Sequence, residues 1–320
     1  MKTSKYFDLQ LFAGNLNTQT TGASALSDEM KVYYSDYLID NAVPKLVHDQ
    51  FGQKHPIPKN GGKTIEFRKY SPLPKLTTPL TEGVTPDGQS LTVTTVEATI
   101  DQYGGYVTIS DMLQLTAIDN NMVQATKLLG NQAGASLDTI TREVLNGGTN
   151  VVYAGGVASR AALGDNKLTV DDIKKAVRAL KTQNAEKIGD SFVAIIHPDV
   201  TYDLTNDPTW QSVKDYDPKD WYEGEIGKIA GVRFVETTEA KIFEGGVYST
   251  LILGDNAYGV TEIEGGGLQH IVKQLGSAGT ADALDQRATV GWKATKVAER
   301  LVEQFMVRIE SKCTFASAAN

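Results

Sequence analysis

Hydrophobic and polar positions along this chain follow two periods. Thr64 to Tyr70 alternates, with Ile65 and Phe67 on one face and Glu66, Arg68 and Tyr70 on the other. A period of two predicts a strand. Leu91 to Ile100 alternates too, as Leu91 and Val93, then Val96, Ala98 and Ile100. Its phase slips near Thr95, which predicts a bulge. Between the two runs stand Pro72, Pro74, Pro79 and Pro86, with Gly83 and an Asp87-Gly88 turn signal. The three stretches together predict a long two-stranded hairpin with a proline-rich tip. Such a hairpin is marginal in water without a covering layer. Nothing beside it in the sequence supplies one, so it is expected to lie on another subunit.

A helical period follows. Ile118, Met122, Ala125, Leu129, Ala133, Leu137, Ile140 and Val144 recur every three or four residues, which places them on one stripe. Asn146, Gly147 and Gly148 stop the run. The helix would be about 39 Å long at about 1.5 Å per residue, a structural beam. Gly130 and Gly134 are the points at which it is expected to bend. An earlier helix is expected from Ser27, with Asp28 and Glu29 at its positive end. Pro44 ends it, and a second short helix runs to Phe51.

Beyond Val151 the pattern is α/β. Thr169 and Asp172 form a capping-box-like start, and Ile173, Ala176, Val177 and Leu180 form the buried stripe. Phe192 to Ile196 reads as a buried strand closed by His197 and Pro198. Val232 to Val235 and Val247 to Leu253 are further strands. Near the C-terminus Phe305, Val307 and Ile309 face one way, and Gln304, Arg308 and Glu310 the other.

The first residues alternate as well. Phe7, Leu9 and Leu11 are interrupted by Asp8 and Gln10, so the run is not a secretory signal. Gly14 to Ala25 is rich in Asn, Thr, Gly, Ser and Gln and reads as flexible. Two readings stand: an apolar arm tip that needs a partner surface, or a frayed terminus.

Composition narrows the chemistry. The chain has 320 residues, enough for two domains. It holds one cysteine, Cys313, and four scattered histidines, His48, His55, His197 and His270. Internal disulfides and Cys-based zinc sites are excluded, and no cofactor or metal is expected. A net charge of −8 argues against a free nucleic-acid reader. No apolar stretch is long enough for a membrane span. Gly61-Gly62-Lys63-Thr64 lacks the earlier glycine of a phosphate loop and opens a strand, so it reads as a turn. Asp215, Asp217 and Asp220 lack the glycine of a calcium loop.

Charge is uneven. Residues 45–75 carry seven basic and two acidic side chains, and residues 199–225 eight acidic and two basic. The acidic stretch also holds Tyr202, Trp210, Tyr216, Trp221 and Tyr222. Aromatics interleaved with charge suit an interface. Opposite patches would either meet between copies or stay solvated separately. The interface candidates are therefore Phe7, Leu9 and Leu11 on the arm, Phe67, Arg68 and Tyr70 on the hairpin, and Trp210, Tyr216 and Trp221 in the acidic stretch.

Four motifs occur in a telling order: Phe7-Asp8-Leu9-Gln10-Leu11-Phe12-Ala13, Val193-Ala194-Ile195-Ile196-His197-Pro198, Gly224 to Phe234, and Asp285 to Lys293. With the arm, hairpin, beam helix and α/β region, they resemble a tailed-bacteriophage major capsid protein of the Hong Kong 97-type fold, in the N4-like branch. The resemblance implies an α+β chain divided into an N-terminal arm (1–57), an extended β-hairpin loop (58–108), a peripheral domain with the spine helix (109–150 and 280–320) and an α/β axial domain (151–279). It implies a non-enzymatic shell protein that assembles as pentamers and hexamers around double-stranded DNA. Its implied setting is the virion capsid, assembled in the host bacterial cytoplasm. The implied partners are further copies, a separate scaffolding protein, a portal and a decoration protein. Two rivals are an encapsulin-like compartment shell and a phage-associated enzyme or binding domain.

Overall fold

The computed structural model describes residues 18–19, 47–70, 73–117, 121–210, 227–277, 282–315 and 318–320. The helix expected from Ser27 and the acidic residues Asp215, Asp217 and Asp220 lie outside them. In chain order the first elements are β1 (Thr18–Gln19), β2 (Gln53–Lys54), β3 (Thr64–Tyr70), β4 (Val93–Thr99) and β5 (Asp101–Ser110). Then come α1 (Asp111–Thr116), α2 (Asn121–Asn146), β6 (Val151–Tyr153), α3 (Val170–Thr182), β7 (Phe192–Ile196) and α4 (Pro198–Thr205). The rest are β8 (Lys228–Ile229), β9 (Val232–Glu236), β10 (Ile242–Phe243), β11 (Val247–Leu253), β12 (Tyr258–Thr261), β13 (Gln269–Lys273), β14 (Arg287–Arg300) and β15 (Met306–Ser311).

The chain forms two compact units. One comprises Pro44–Asp101, Ala135–Gly265 and Thr295–Asn320, the other Met1–Val43, Gln102–Gly134 and Gly266–Ala294. Three of the boundaries between them fall inside elements, in β5, α2 and β14.

The larger unit is built on a mixed sheet ordered β6-β15-β11-β7-β9-β8, with β10 beside β11. Both faces are covered, which explains why β7 and β11 are buried at every position. On one face Phe192, Ala194, Ile196, Tyr248 and Ile252 pack with Ile173 and Leu180 of α3. On the other, Ile195, Leu251 and Leu253 pack with Leu145 of α2 and Tyr258 of β12. α3 begins as its sequence predicts: the Thr169 hydroxyl accepts from the Asp172 amide at 3.3 Å. His197 closes β7 and also caps α4, its Nδ1 accepting from the Asp199 amide at 3.1 Å. Burial lowers the His197 pKa, more than Asp199 and Glu236 raise it, which keeps that nitrogen an acceptor.

In the smaller unit β13 pairs antiparallel with β14, from Gln269↔Lys293 to Lys273↔Thr289. β5 lies beside β14 and carries β1 parallel on it. β5 and β14 approach closely because of glycines: a Cβ on Gly104 would sit 2.7 Å from the Trp292 carbonyl oxygen. The first half of α2 buries Leu129 and Ala133, and the Trp292 Nε1–H donates to Gln132 Oε1 at 3.2 Å.

Several expectations are corrected. The β3–β4 register is unbroken from Thr64↔Thr99 to Tyr70↔Val93, so the phase slip near Thr95 is not a bulge. Val93 simply points away from Val96 and Ala98 and is exposed. Residues 48–52 are turns and bends, not the end of a helix. The second half of α2 buries Asp138, Thr141, Arg142 and Asn146, while Ile140 and Val144 are only half-buried. Glu310 faces no solvent: it is 0% exposed and accepts two 2.6 Å bonds from Arg160. Strand pairing sets β15 between β6 and β11. Local periodicity carries no signal of which strand becomes a neighbour.

Candidate assembly surface

The hairpin is held at its base and bare at its tip. Phe67 of β3 reaches Gly259 of β12, where a Cβ would come within 3.0 Å of the ring. Any larger residue at that position would push the ring out. The His55 ring meets Phe67 edge-on at 6.0 Å. Ala98 and Ile100, at 4% and 2% exposed, seal the same end. Beside Phe67 lies a concavity of about 400 Å³, bordered by Gln53, His55, Val96, Asn256 and Leu301.

Away from the base the picture reverses. Tyr70 is 60% exposed. Arg68 is exposed, and its 3.5 Å pairing with Glu66 is screened by solvent. Leu73, Leu76, Leu80, Val84 and Leu91 along the connector are all at least half exposed. Single surface leucines are ordinary, but five exposed apolar side chains on one connector make it a candidate interaction surface.

The interface candidates thus divide. Arg68 and Tyr70 stand on open surface. Phe67 is half-buried as the hairpin's anchor. Trp210 is corrected: at 1% exposed, packed edge-on to Phe234 at 5.9 Å, it belongs to the chain's own core. Its place among acidic residues suggested a surface, but the indole fills space against β9. Phe7, Leu9, Leu11, Tyr216 and Trp221 lie outside the described residues.

A polar cluster that sequence reasoning missed stiffens the larger unit. Asp138 of α2 accepts from the His48 backbone amide at 2.8 Å and lies 2.6 Å from its Nδ1. Lys296 of β14 is ion-paired with Asp49 and donates to the Leu137 carbonyl at 2.8 Å. The Thr141 hydroxyl donates to Asp49 at 2.5 Å, and the Tyr258 hydroxyl donates to the His48 carbonyl. Burial lowers the Lys296 pKa despite the nearby carboxylates, and burial raises that of Tyr258. Each charge already has its partner, so the cluster is a structural joint. No sequence spacing could show it, because its members come from four distant segments. Among the described residues, no group of three or more His, Cys, Asp or Glu is arranged to hold a metal ion. Nor, among them, is any helix long and apolar enough to cross a membrane.

Comparison with known proteins decides the family. Residues 93–300 match the phage capsid protein family. The chain belongs to that family. Among solved structures, the capsid of the cyanophage P-SCSP1u superposes with a TM-score of 0.69 at 14% identity, covering 97% of this chain and 100% of that one. The capsid of Ralstonia phage GP4 superposes at 0.68 with 15% identity, covering 90% and 96%. That of cyanophage Pam1 gives 0.66 at 14%, covering 90% and 94%. No curated protein matches the chain. The fold of this capsid protein is thus the Hong Kong 97-type fold that the sequence resemblance implied. The matched span begins at β4, so the arm and most of the hairpin stand outside it.

Proposed function

We propose that this capsid protein builds an icosahedral phage head, as pentamers and hexamers, around double-stranded DNA. The observation that carries this reading is the hairpin, anchored in its own chain at Phe67 and apolar along an exposed tip. Burying five such side chains on a neighbour contributes about 1.5–3 kcal/mol each before ordering costs. Repeated over every copy, a modest contact suffices to hold a closed particle.

The larger unit, with its two-sided sheet, supports the axial role proposed for residues 151–279. The segment with α2 supports the peripheral one. A separate scaffolding protein, a portal and a decoration protein are the proposed partners, and assembly is proposed to occur in the host cytoplasm. Placement in the N4-like branch rests on the sequence motifs alone. The role is structural: the buried ionisable groups that cluster, His48, Asp138, Asp49 and Lys296, pair with one another. An acidic chain suits a container, because like charge keeps the enclosed genome from adhering to the wall.

The test is negative-stain electron microscopy with a mass measurement on the purified full chain. Discrete shells of many copies are expected. A stable monomer or small oligomer would overturn the reading.

A further inference from the structure

One face of α3 carries cations that, among the described residues, have no counter-charge. Lys174, Arg178 and Lys181 stand four and three residues apart, which puts them side by side on the helix. All three are exposed. Their neighbour Lys175 is paired, at 2.7 Å with Asp171 and 3.4 Å with Asp172. Among the described residues, Lys174, Arg178 and Lys181 have no ion pair. Like charges at these spacings repel. The helix dipole favours Lys181 in the last turn but gives Lys174, in the first half, no such support.

The face is also concave. Lys174, Arg178 and Lys181 with Val177 and Ala230 line a hollow of about 510 Å³. Ala230 lies in the tight turn between β8 and β9, held at φ 53°. The hollow is therefore a trough with α3 on one side and a constrained turn on the other. A basic wall beside Val177 suits a peptide segment with carboxylates and aromatic rings.

The chain contains such a segment. Residues 211–226 hold Asp215, Asp217, Asp220, Glu223 and Glu225 against Lys214 and Lys219, with Tyr216, Trp221 and Tyr222 among them. In the basic stretch 45–75, by contrast, Lys63 and Arg68 already have carboxylate partners at 3.0 and 3.5 Å. We infer that the α3 trough receives the acidic segment 211–226 of a second copy. A surface and its complement at different places on one chain make a head-to-tail contact, the kind that closes rings. Charge complementarity then sets the register between neighbours. The inference rests on the shell reading and names one of its contacts.

Two charge-reversed full-length chains test it, K174E/R178E/K181E and D215K/D217K/D220K. Each alone is expected to lose assembly at least tenfold by sedimentation, with monomer circular dichroism and melting unchanged. Mixed, they are expected to recover even-membered rings, in which the two variants alternate. Recovery only when all six changes sit on one chain would place the contact within a copy and overturn the inference. Assembly like the wild type's in both variants would overturn it too, as would loss of double-stranded DNA retention with assembly intact. Should the reversed chains not fold, K174Q/R178Q/K181Q replaces them. Its assembly should weaken several-fold and lose much of its salt dependence, and an unchanged profile refutes the contact. A wild-type chain that forms no shells fails the shell reading itself, whereas normal wild-type shells with unaffected variants fail the trough alone.

Discussion

Asp203 shows how a single side chain is tuned by its setting. Burial pushes its pKa up, but Thr314, Cys313 and Lys167 bond the ionised form and together bring it below the ordinary carboxylate value. The Thr314 amide donates to Oδ2 at 2.7 Å, and Lys167 lies 3.3 Å from Oδ1. Because the folded value is depressed, this carboxylate contributes stability above the unfolded pKa of about 3.9, and the contribution is lost as pH falls through the folded value. Asp203→Asn is therefore expected to lower stability at neutral pH and flatten its decline below about pH 4, read from urea unfolding across pH. Lys296 belongs to the same scale. Its side chain is 6% exposed and paired with Asp49, so removing it leaves Asp49 without its cation. Lys296→Ala is expected to cost about 3–5 kcal/mol, the usual effect of breaking a buried pair, measured by denaturant unfolding of the unassembled chain.

At the scale of elements, the hairpin separates stability from assembly. Its base is packed in the chain and its tip is not. Phe67→Ala should destabilise the unassembled chain by about 2 kcal/mol, part of what a fully buried Phe→Ala costs. Changing Leu76, Leu80 and Leu91 to serine should leave monomer stability within about 0.5 kcal/mol while sharply reducing particle yield by sedimentation. If both sets of changes alter stability equally, the tip is part of the chain's own core. Deleting residues 71–90 should likewise block shell closure and spare the fold. The element boundaries also explain what was legible. β3, β7, β11 and α3 follow their periods because each packs one regular stripe or run. α2 departs from its apolar stripe because His48 and Glu239, remote in sequence, satisfy polar groups that would otherwise need solvent.

For the whole molecule, assembly is electrostatically steered if the α3 trough and the acidic segment meet between copies. Raising salt from about 0.05 to 0.5 M shortens the screening length several-fold and should slow assembly, as followed by light scattering. An apolar-only assembly would instead proceed unslowed. The sequence by itself determined the α+β class, the hairpin, the long helix and the capsid resemblance. These are local or ordered along the chain, so period and motif order suffice. Only the tertiary structure decided that β15 pairs with β6 and β11, that Glu310 and Asp138 are buried, and that Trp210 is core. Each of these depends on a partner far away in sequence. A strand's neighbours and a charge's counter-charge are fixed by packing, which leaves no periodic trace in the chain.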